Sequence, residues 1–342
     1  METILVTGGA GFIGSNFINY MYKKYPDYRF LVLDALTYAG NPDNFNLLVK
    51  NDNRFEFWYG DVRNSEIVND LVAQADYVFH FAAETHVARS IFDNKVFFET
   101  DILGTQTICN AILKNTGRIK KYIHISTSEV YGSAVDGAMD ENHPLMPCSP
   151  YASAKAGADR LVYSYWKTYE IPAIIIRPFN NYGPHQHLEK VVPRFITSAI
   201  LNESLTIHAD GTASRDWIYV EDHCKALDAV LHIENEDLFG KAINIGTGID
   251  INIKTIAEKI LNKMNKPLDL ITHVHSRPGQ VEKHIASTQR AKEHLAWEAE
   301  TDFSRGLDLT IDWYANNQRW WEPLRWMRHI PIKMKNGTVV MH

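Results

Sequence analysis

Cysteine is scarce in this chain, and long apolar runs are missing. The 342 residues include three cysteines. Cys109, Cys148 and Cys224 are widely spaced, which suits free thiols in a reducing compartment better than a disulfide framework. No Cys/His cluster has ligand spacing, so no metal is expected. No stretch approaches the roughly 20 apolar residues that span a bilayer, and Met1-Glu2-Thr3 lacks the basic region of a secretory signal. The expected residence is cytoplasmic, with no membrane partner. Blocks of Lys/Arg are absent too: the net charge of -6 is spread along the chain, which leaves no footprint for nucleic acid. An anionic ligand therefore needs local basic residues. Repeats and low-complexity tracts are also lacking.

What is present is alternation. Ile4 to Thr7, Phe30 to Asp34, Phe55 to Tyr59, Tyr77 to Ala82, Tyr122 to Ser126 and Ala173 to Arg177 read as buried strands with helical patterns between them. This predicts an α/β fold, a Rossmann-type doubly wound parallel sheet with a smaller α/β lobe. Beyond Pro178 turn residues become frequent, and helices are expected at about 190–201 and 253–264. The expected division is a dinucleotide-binding domain over 1–177 with a segment returning near 216–245, a substrate lobe over 178–215 and 246–330, and a tail over 331–342. Trp313, Trp320, Trp321 and Trp326 read as packing against that lobe.

Thr7-Gly8-Gly9-Ala10-Gly11-Phe12-Ile13-Gly14 lies between the first strand and the first helix. Glycines there permit a tight turn and let the backbone approach a pyrophosphate, while the helix N-terminus favours the anion. Asp34, at the end of the second strand, accepts from a ribose 2'-hydroxyl and repels a 2'-phosphate, so the expected cofactor is NAD. Asp61-Val62 after the third strand is a candidate adenine contact. Tyr151 and Lys155 lie four residues apart at the start of a predicted helix, hence on one face. A lysine beside a phenol favours phenolate, which suits Tyr151 to act as a base at a substrate hydroxyl. Ser126-Thr127-Ser128-Glu129 follows a strand, where such sheets present their ligands.

Together with His80-Phe81-Ala82-Ala83-Glu84-Thr85-His86, Val130-Tyr131-Gly132 and Arg177-Pro178-Phe179-Asn180-Asn181-Tyr182-Gly183-Pro184, these motifs resemble the extended short-chain dehydrogenases that modify nucleotide sugars. Leu36 to Asn41, Gln186 to Pro193, Arg215-Asp216-Trp217, Arg277-Pro278-Gly279 and Asp312-Trp313-Tyr314 are similar to motifs of the nucleotide-sugar 4,6-dehydratases within that group. The resemblance implies that Gly8, Gly11, Phe12, Ile13, Gly14, Asp34, Asp61, Val62, Ala82, Ala83, Tyr151 and Lys155 hold NAD. It implies that Thr127 and Tyr151 hold the sugar's 4-hydroxyl and that Glu129 works at C5. It also implies that Glu84, Thr85, His86, Asn180, Asn181, Lys190, His208, Arg215, Asn244 and Arg277 meet a nucleoside-diphosphate hexose, the two arginines taking its phosphates. Relatives commonly pair as homodimers through helices like those near 95–115 and 151–168.

The chain departs from the glucose-specific dehydratases in three places. Ser128 stands where they have an acidic aspartate; the Thr-Ser-Glu order is instead similar to the mannose-specific dehydratases, in which the glutamate is the main acid/base. Ala88 also replaces an aspartate, and Gln280-Val281 replaces a more polar pair. His208 stands where a tyrosine is usual, which leaves the base open. A 4-epimerase, a glucuronate decarboxylase or a 5,6-ene-forming dehydratase shares the scaffold, and a non-catalytic NAD sensor shares the glycine turn but has no need of Thr127, Tyr151 and Lys155.

Overall fold

Runs rich in Ile, Val, Leu and Phe, too short for helices and bounded by turn residues, become strands in chain order. β1 (Glu2–Thr7), β2 (Tyr28–Asp34), β3 (Phe55–Tyr59), β4 (Tyr77–His80), β5 (Lys121–Ile125) and β6 (Ala173–Pro178) come first. The chain then forms β7 (Asn180–Tyr182), β8 (Leu205–His208) and β9 (Ser214–Tyr219) before β10 (Ala242–Ile245), β11 (Asp250–Asn252) and β12 (Ile271–Val274). The computed structural model describes residues 1–276, 278–334 and 336–341.

β1 to β6 and β10 form one seven-stranded sheet in the order β10-β6-β5-β4-β1-β2-β3, with every neighbouring pair parallel. The order reverses between β1 and β4, so the crevice where ligands bind lies at the carboxyl ends of those strands. Helices cover both faces: α1 (Phe12–Lys24) packs with the helix Val220–His232 on one, while Ser65–Val72, Thr105–Lys114 and Pro150–Tyr169 pack in succession on the other. Each face closes its own apolar layer, one built on Val6, Val32 and Phe79, the other on Leu5, Leu31 and Val78, as the strand period of two requires. β4 and β5 stop short of the predicted Ala82 and Ser126, because the chain there leaves the sheet to line the crevice.

The lobe combines a sheet in the order β11-β9-β7, a parallel β12-β8 pair, and the helices Val191–Ile200, Ile253–Lys263 and Phe303–Asn316 around Phe195, Ile260 and Leu307. Trp321 and Tyr314 are buried in it, whereas Trp326 is exposed. Within the span expected to belong wholly to this lobe, the helix Gln289–Leu295 turns back: Ala291, Leu295 and Trp297 join the main sheet's core beside β10. Their apolar face is covered by the sheet rather than the lobe. At the far end, β13 (Pro331–Lys333) pairs with β14 (Val339–Met341) and lies on the helix Val87–Phe92 through Ile330, Ile332 and Ala88. Among the described residues no helix is long and apolar enough to cross a membrane.

Candidate active site

A single cavity of about 460 Å³ runs from the glycine turn to the lobe. Its first half is built from backbone. Gly8 adopts φ +68°, and a Cβ there would lie 2.5 Å from the Ala82 nitrogen; at Gly14 a Cβ would lie 2.6 Å from the Gly8 oxygen. Neither position has room for a side chain, so turn, helix and neighbouring strand close together. Gly11 caps α1 without a side-chain bond, so the helix's first N–H groups face the cavity, suited to an anion. The Asp34 carboxylate accepts from the Ala10 and Leu36 nitrogens at 2.9 and 2.8 Å; burial raises its pKa, opposed by those two donors. A cradle that excludes every side chain, an uncapped helix start and a carboxylate at the end of β2 fit NAD.

Gly11, Phe12, Ile13, Asp61, Val62, Ala82 and Ala83 all line this half. The Asp61 carboxylate is paired with Arg63 at 2.6 Å.

The reaction half rests on side chains. Ser149 caps the helix Pro150–Tyr169 by accepting from the Ala152 nitrogen at 3.1 Å, with Pro150 in its first turn. Tyr151, Lys155 and Asp159 then follow at one-turn spacing toward β5. Asp159 is buried and accepts from Arg177 Nε and Nη2 at 2.9 and 3.0 Å and from Ser126 Oγ at 2.8 Å. Burial opposes its ionisation, but the Arg177 bonds and charge hold it down at about 2. Thr127 begins a short turn, Ser128–Tyr131, its Oγ1 accepting from the Glu129 nitrogen at 3.2 Å, while its hydroxyl proton serves the Tyr151 oxygen. Thr127, Ser128, Glu129, Tyr151 and Lys155 all line the cavity.

One expectation changes here. Lys155 donates to the Ile125 carbonyl at 2.6 Å, and burial pushes the Tyr151 phenol well above its ordinary value, Thr127 alone pulling it down. By itself the protein keeps Tyr151 a neutral phenol. Burial also lowers Lys155, against the pull of Asp101 and Asp159.

Glu84, Thr85, His86, Asn180, Asn181, Lys190, His208 and Arg215 line the cavity as well. Lys190 donates to the Thr85 carbonyl, and Asn181 Oδ1 is held by His223 Nδ1 at 2.9 Å. Arg215 Nε lies 4.0 Å from Glu129 Oε1, so this arginine faces the carboxylate. Glu189 anchors the wall between the two halves, accepting from Tyr38 and Arg89 at 2.9 and 2.7 Å.

Asn244 is not brought to the cavity. It is fully buried in β10, accepting from the Tyr131 hydroxyl at 2.8 Å and donating to the Met139 carbonyl at 2.9 Å, so both ends of its amide are spent inside the core. Arg277 lies outside the described residues.

Two residues escaped sequence reasoning. Asp101 is buried on a π-helical stretch, Phe98–Gly104, with Oδ1 accepting from the Glu84 nitrogen at 2.8 Å; burial raises its pKa, opposed by Lys155. His284 approaches Ser128 and Glu129 from a distant segment, and nothing local marks it among fifteen histidines.

A doubly wound sheet with a glycine cradle, Asp34 and a Thr/Tyr/Lys group in one cavity defines an extended short-chain dehydrogenase. The family described as GDP-mannose 4,6 dehydratase matches residues 5–310. The low-salt glycan biosynthesis protein Agl12 of Haloferax volcanii is 44% identical over 314 residues, 92% of this chain and 99% of the relative. A dTDP-glucose 4,6-dehydratase of Streptomyces niveus is 38% identical over 326 residues, 94% of this chain and 95% of the relative. The crystal structure of DesIV, a dTDP-glucose 4,6-dehydratase of Streptomyces venezuelae with NAD and TYD bound, superposes with a TM-score of 0.90 at 37% identity, covering 94% of this chain and 99% of that one. The chain belongs to the GDP-mannose 4,6 dehydratase family. It is an NAD-dependent nucleotide-sugar 4,6-dehydratase.

Proposed function

We propose that Thr127, Glu129, Tyr151 and Lys155 carry the dehydration of a nucleoside-diphosphate hexose to its 4-keto-6-deoxy product. The observation that carries this assignment is their convergence on the same cavity as the glycine cradle and Asp34. NAD, when bound, accepts hydride at C4, returns it at C6, and lends a positive ring that favours ionisation of the nearby phenol. Tyr151 takes the 4-hydroxyl proton, with Thr127 holding the same oxygen. Lys155, one helical turn from Tyr151 and anchored on the Ile125 carbonyl, is assigned to the ribose side of the site. The 4-ketone acidifies the C5 hydrogen, and Glu129, the carboxylate beside Thr127, removes it. Water then leaves from C6. Arg215 and Lys190 are assigned to the diphosphate, and His208, whose Nδ1 lies 2.8 Å from the His275 carbonyl, to the wall beside the base.

The relatives named for dTDP-glucose make that compound the first substrate to try. Phe98, Leu103 and Tyr163 are exposed on the two helical stretches expected to pair, and support a homodimer.

Incubation with dTDP-, UDP-, GDP- and CDP-hexoses tests the assignment: one of them yields a 4-keto-6-deoxy sugar that absorbs in alkali. Glu129→Gln stalls after C4 oxidation and accumulates reduced nicotinamide. An epimerised hexose as sole product, or full activity of Glu129→Gln, overturns it.

A further inference from the structure

His284 is wholly buried on an extended segment held between two others. Its own nitrogen donates to the Ser214 carbonyl at 3.1 Å, and the Ser214 nitrogen donates to the Glu282 carbonyl at 2.9 Å. On the other side Ala134 and Met139 donate to the Lys283 and Ile285 carbonyls at 3.0 and 2.8 Å. The segment is therefore fixed on both sides. The ring's Nε2 lies 2.6 Å from the Gly132 carbonyl, and Gly132 is itself fixed: at φ +72° it has no space for a Cβ, which would lie 2.2 Å from the Met146 oxygen.

A carbonyl only accepts, so Nε2 carries the proton. Burial lowers the ring's pKa to about 4, with Glu129 raising it and Arg215 and His143 lowering it; the imidazole is neutral in the physiological range. A neutral ring with its proton on Nε2 has a bare lone pair on Nδ1. That lone pair meets Ser128 Oγ at 3.4 Å and sits 3.9 Å from Glu129 Oε1. Glu129 is an acceptor when ionised, so the donor available to Nδ1 is the Ser128 hydroxyl.

Resting on the dehydration reading above, we propose that His284 is a positioning residue. By holding the Ser128 proton it turns Ser128 into an acceptor for the sugar's C6 hydroxyl and leaves Glu129 to protonate the departing oxygen. The step balances on a single carboxyl. Glu129 takes the C5 proton, and the C–H pair becomes the enolate of the 4-ketone. That pair then forms the C5–C6 double bond as the C6–O pair withdraws onto oxygen, and the proton on Glu129 passes to that oxygen. Water leaves, and Glu129 is a carboxylate again. A serine in this position needs no acidity, because it receives a proton contact rather than giving one.

The holoenzyme with its active nucleotide hexose tests this in deuterated water. His284→Phe removes the acceptor; His284→Asn keeps an oxygen near the place of Nδ1. Losing one oriented hydrogen bond in the transition state slows the step by about tenfold to a hundredfold. In His284→Phe, C4 oxidation therefore proceeds at the wild-type rate while product forms about tenfold to a hundredfold more slowly, reduced nicotinamide accumulates, and recovered substrate gains deuterium at C5. His284→Asn restores product formation to within a few-fold. Ser128→Ala, a small change that leaves the ring in place, reproduces the stall and decides the matter if His284→Phe folds poorly. Undiminished product formation in both His284→Phe and Ser128→Ala overturns the proposal, as does C4 oxidation slowed in step with product, or a His284→Asn variant as slow as the phenylalanine. Wild-type protein that gives no 4-keto-6-deoxy sugar from any of the four nucleotide hexoses would instead sink the dehydration reading itself.

Discussion

The two ends of the cavity are made by different means. Around Gly8, Gly11 and Gly14 the wall is mostly main chain, and its shape follows from the lack of room for a Cβ at Gly8 and Gly14. Around Glu129 the wall is side chains drawn from four parts of the chain: the turn after β5, the helix Pro150–Tyr169, β9 and the segment of His284. A backbone cradle tolerates few substitutions but recognises a common group, the pyrophosphate. A side-chain cluster is open to exchange, because each group can be replaced without rebuilding the main chain that carries it.

Tyr151→Phe gives the largest separation between the two ends. It removes the oxygen that takes the 4-hydroxyl proton, so kcat falls about a thousandfold, within the range of general acid–base catalysis. The ring still packs against Phe97, so NAD affinity and melting temperature stay close to wild type; NAD titration alongside steady-state kinetics checks both. Loss of NAD binding in this variant would break the distinction.

Gly8→Ala is the converse. It sets a Cβ into backbone at a positive φ, which costs about 2 kcal/mol in strain and displacement. Both the melting temperature and NAD affinity drop, although no reacting group has been touched. An unchanged melt would show that the cradle is slack.

Acid titration sharpens the contrast further. The folded pKa of His284, about 4, lies below its ordinary 6.5, so between those values the unfolded chain binds one more proton than the folded one. Stability contributed by the neutral ring is present above pH 6.5 and is lost as pH falls toward 4, with a slope of about 1.4 kcal/mol per pH unit per group. His80, His185, His187 and His223 are lowered by burial too, so the wild-type slope is steeper than that of one group. His284→Asn reduces it by one proton in urea melts run across this window. An unaltered slope would mean the ring is charged in the native state.

The same contrast explains what was legible in the sequence. The strands and the glycine turn are encoded by neighbours, and Tyr151 with Lys155 by one helical turn, so periodicity and spacing reach them. Family motifs extend that reach to Thr127 and Glu129. His284 meets Ser128 across 156 positions, and no local pattern records such a meeting. Asn244 misled for the opposite reason: the family resemblance implied a ligand contact, but the buried hydroxyl of Tyr131 and the Met139 carbonyl consume its amide. The return of Gln289–Leu295 to the main sheet was hidden because an apolar helical face does not name its partner.

The segment carrying His284 is gripped through its main chain, from Ser214 on one side and from Ala134 and Met139 on the other. A rung held by its peptide groups leaves the side chain opposite Ser128 interchangeable. Exchanging His284 for another hydrogen-bonding group would then alter what Ser128 faces, and with it the order in which protons move, while the strand stays where it is.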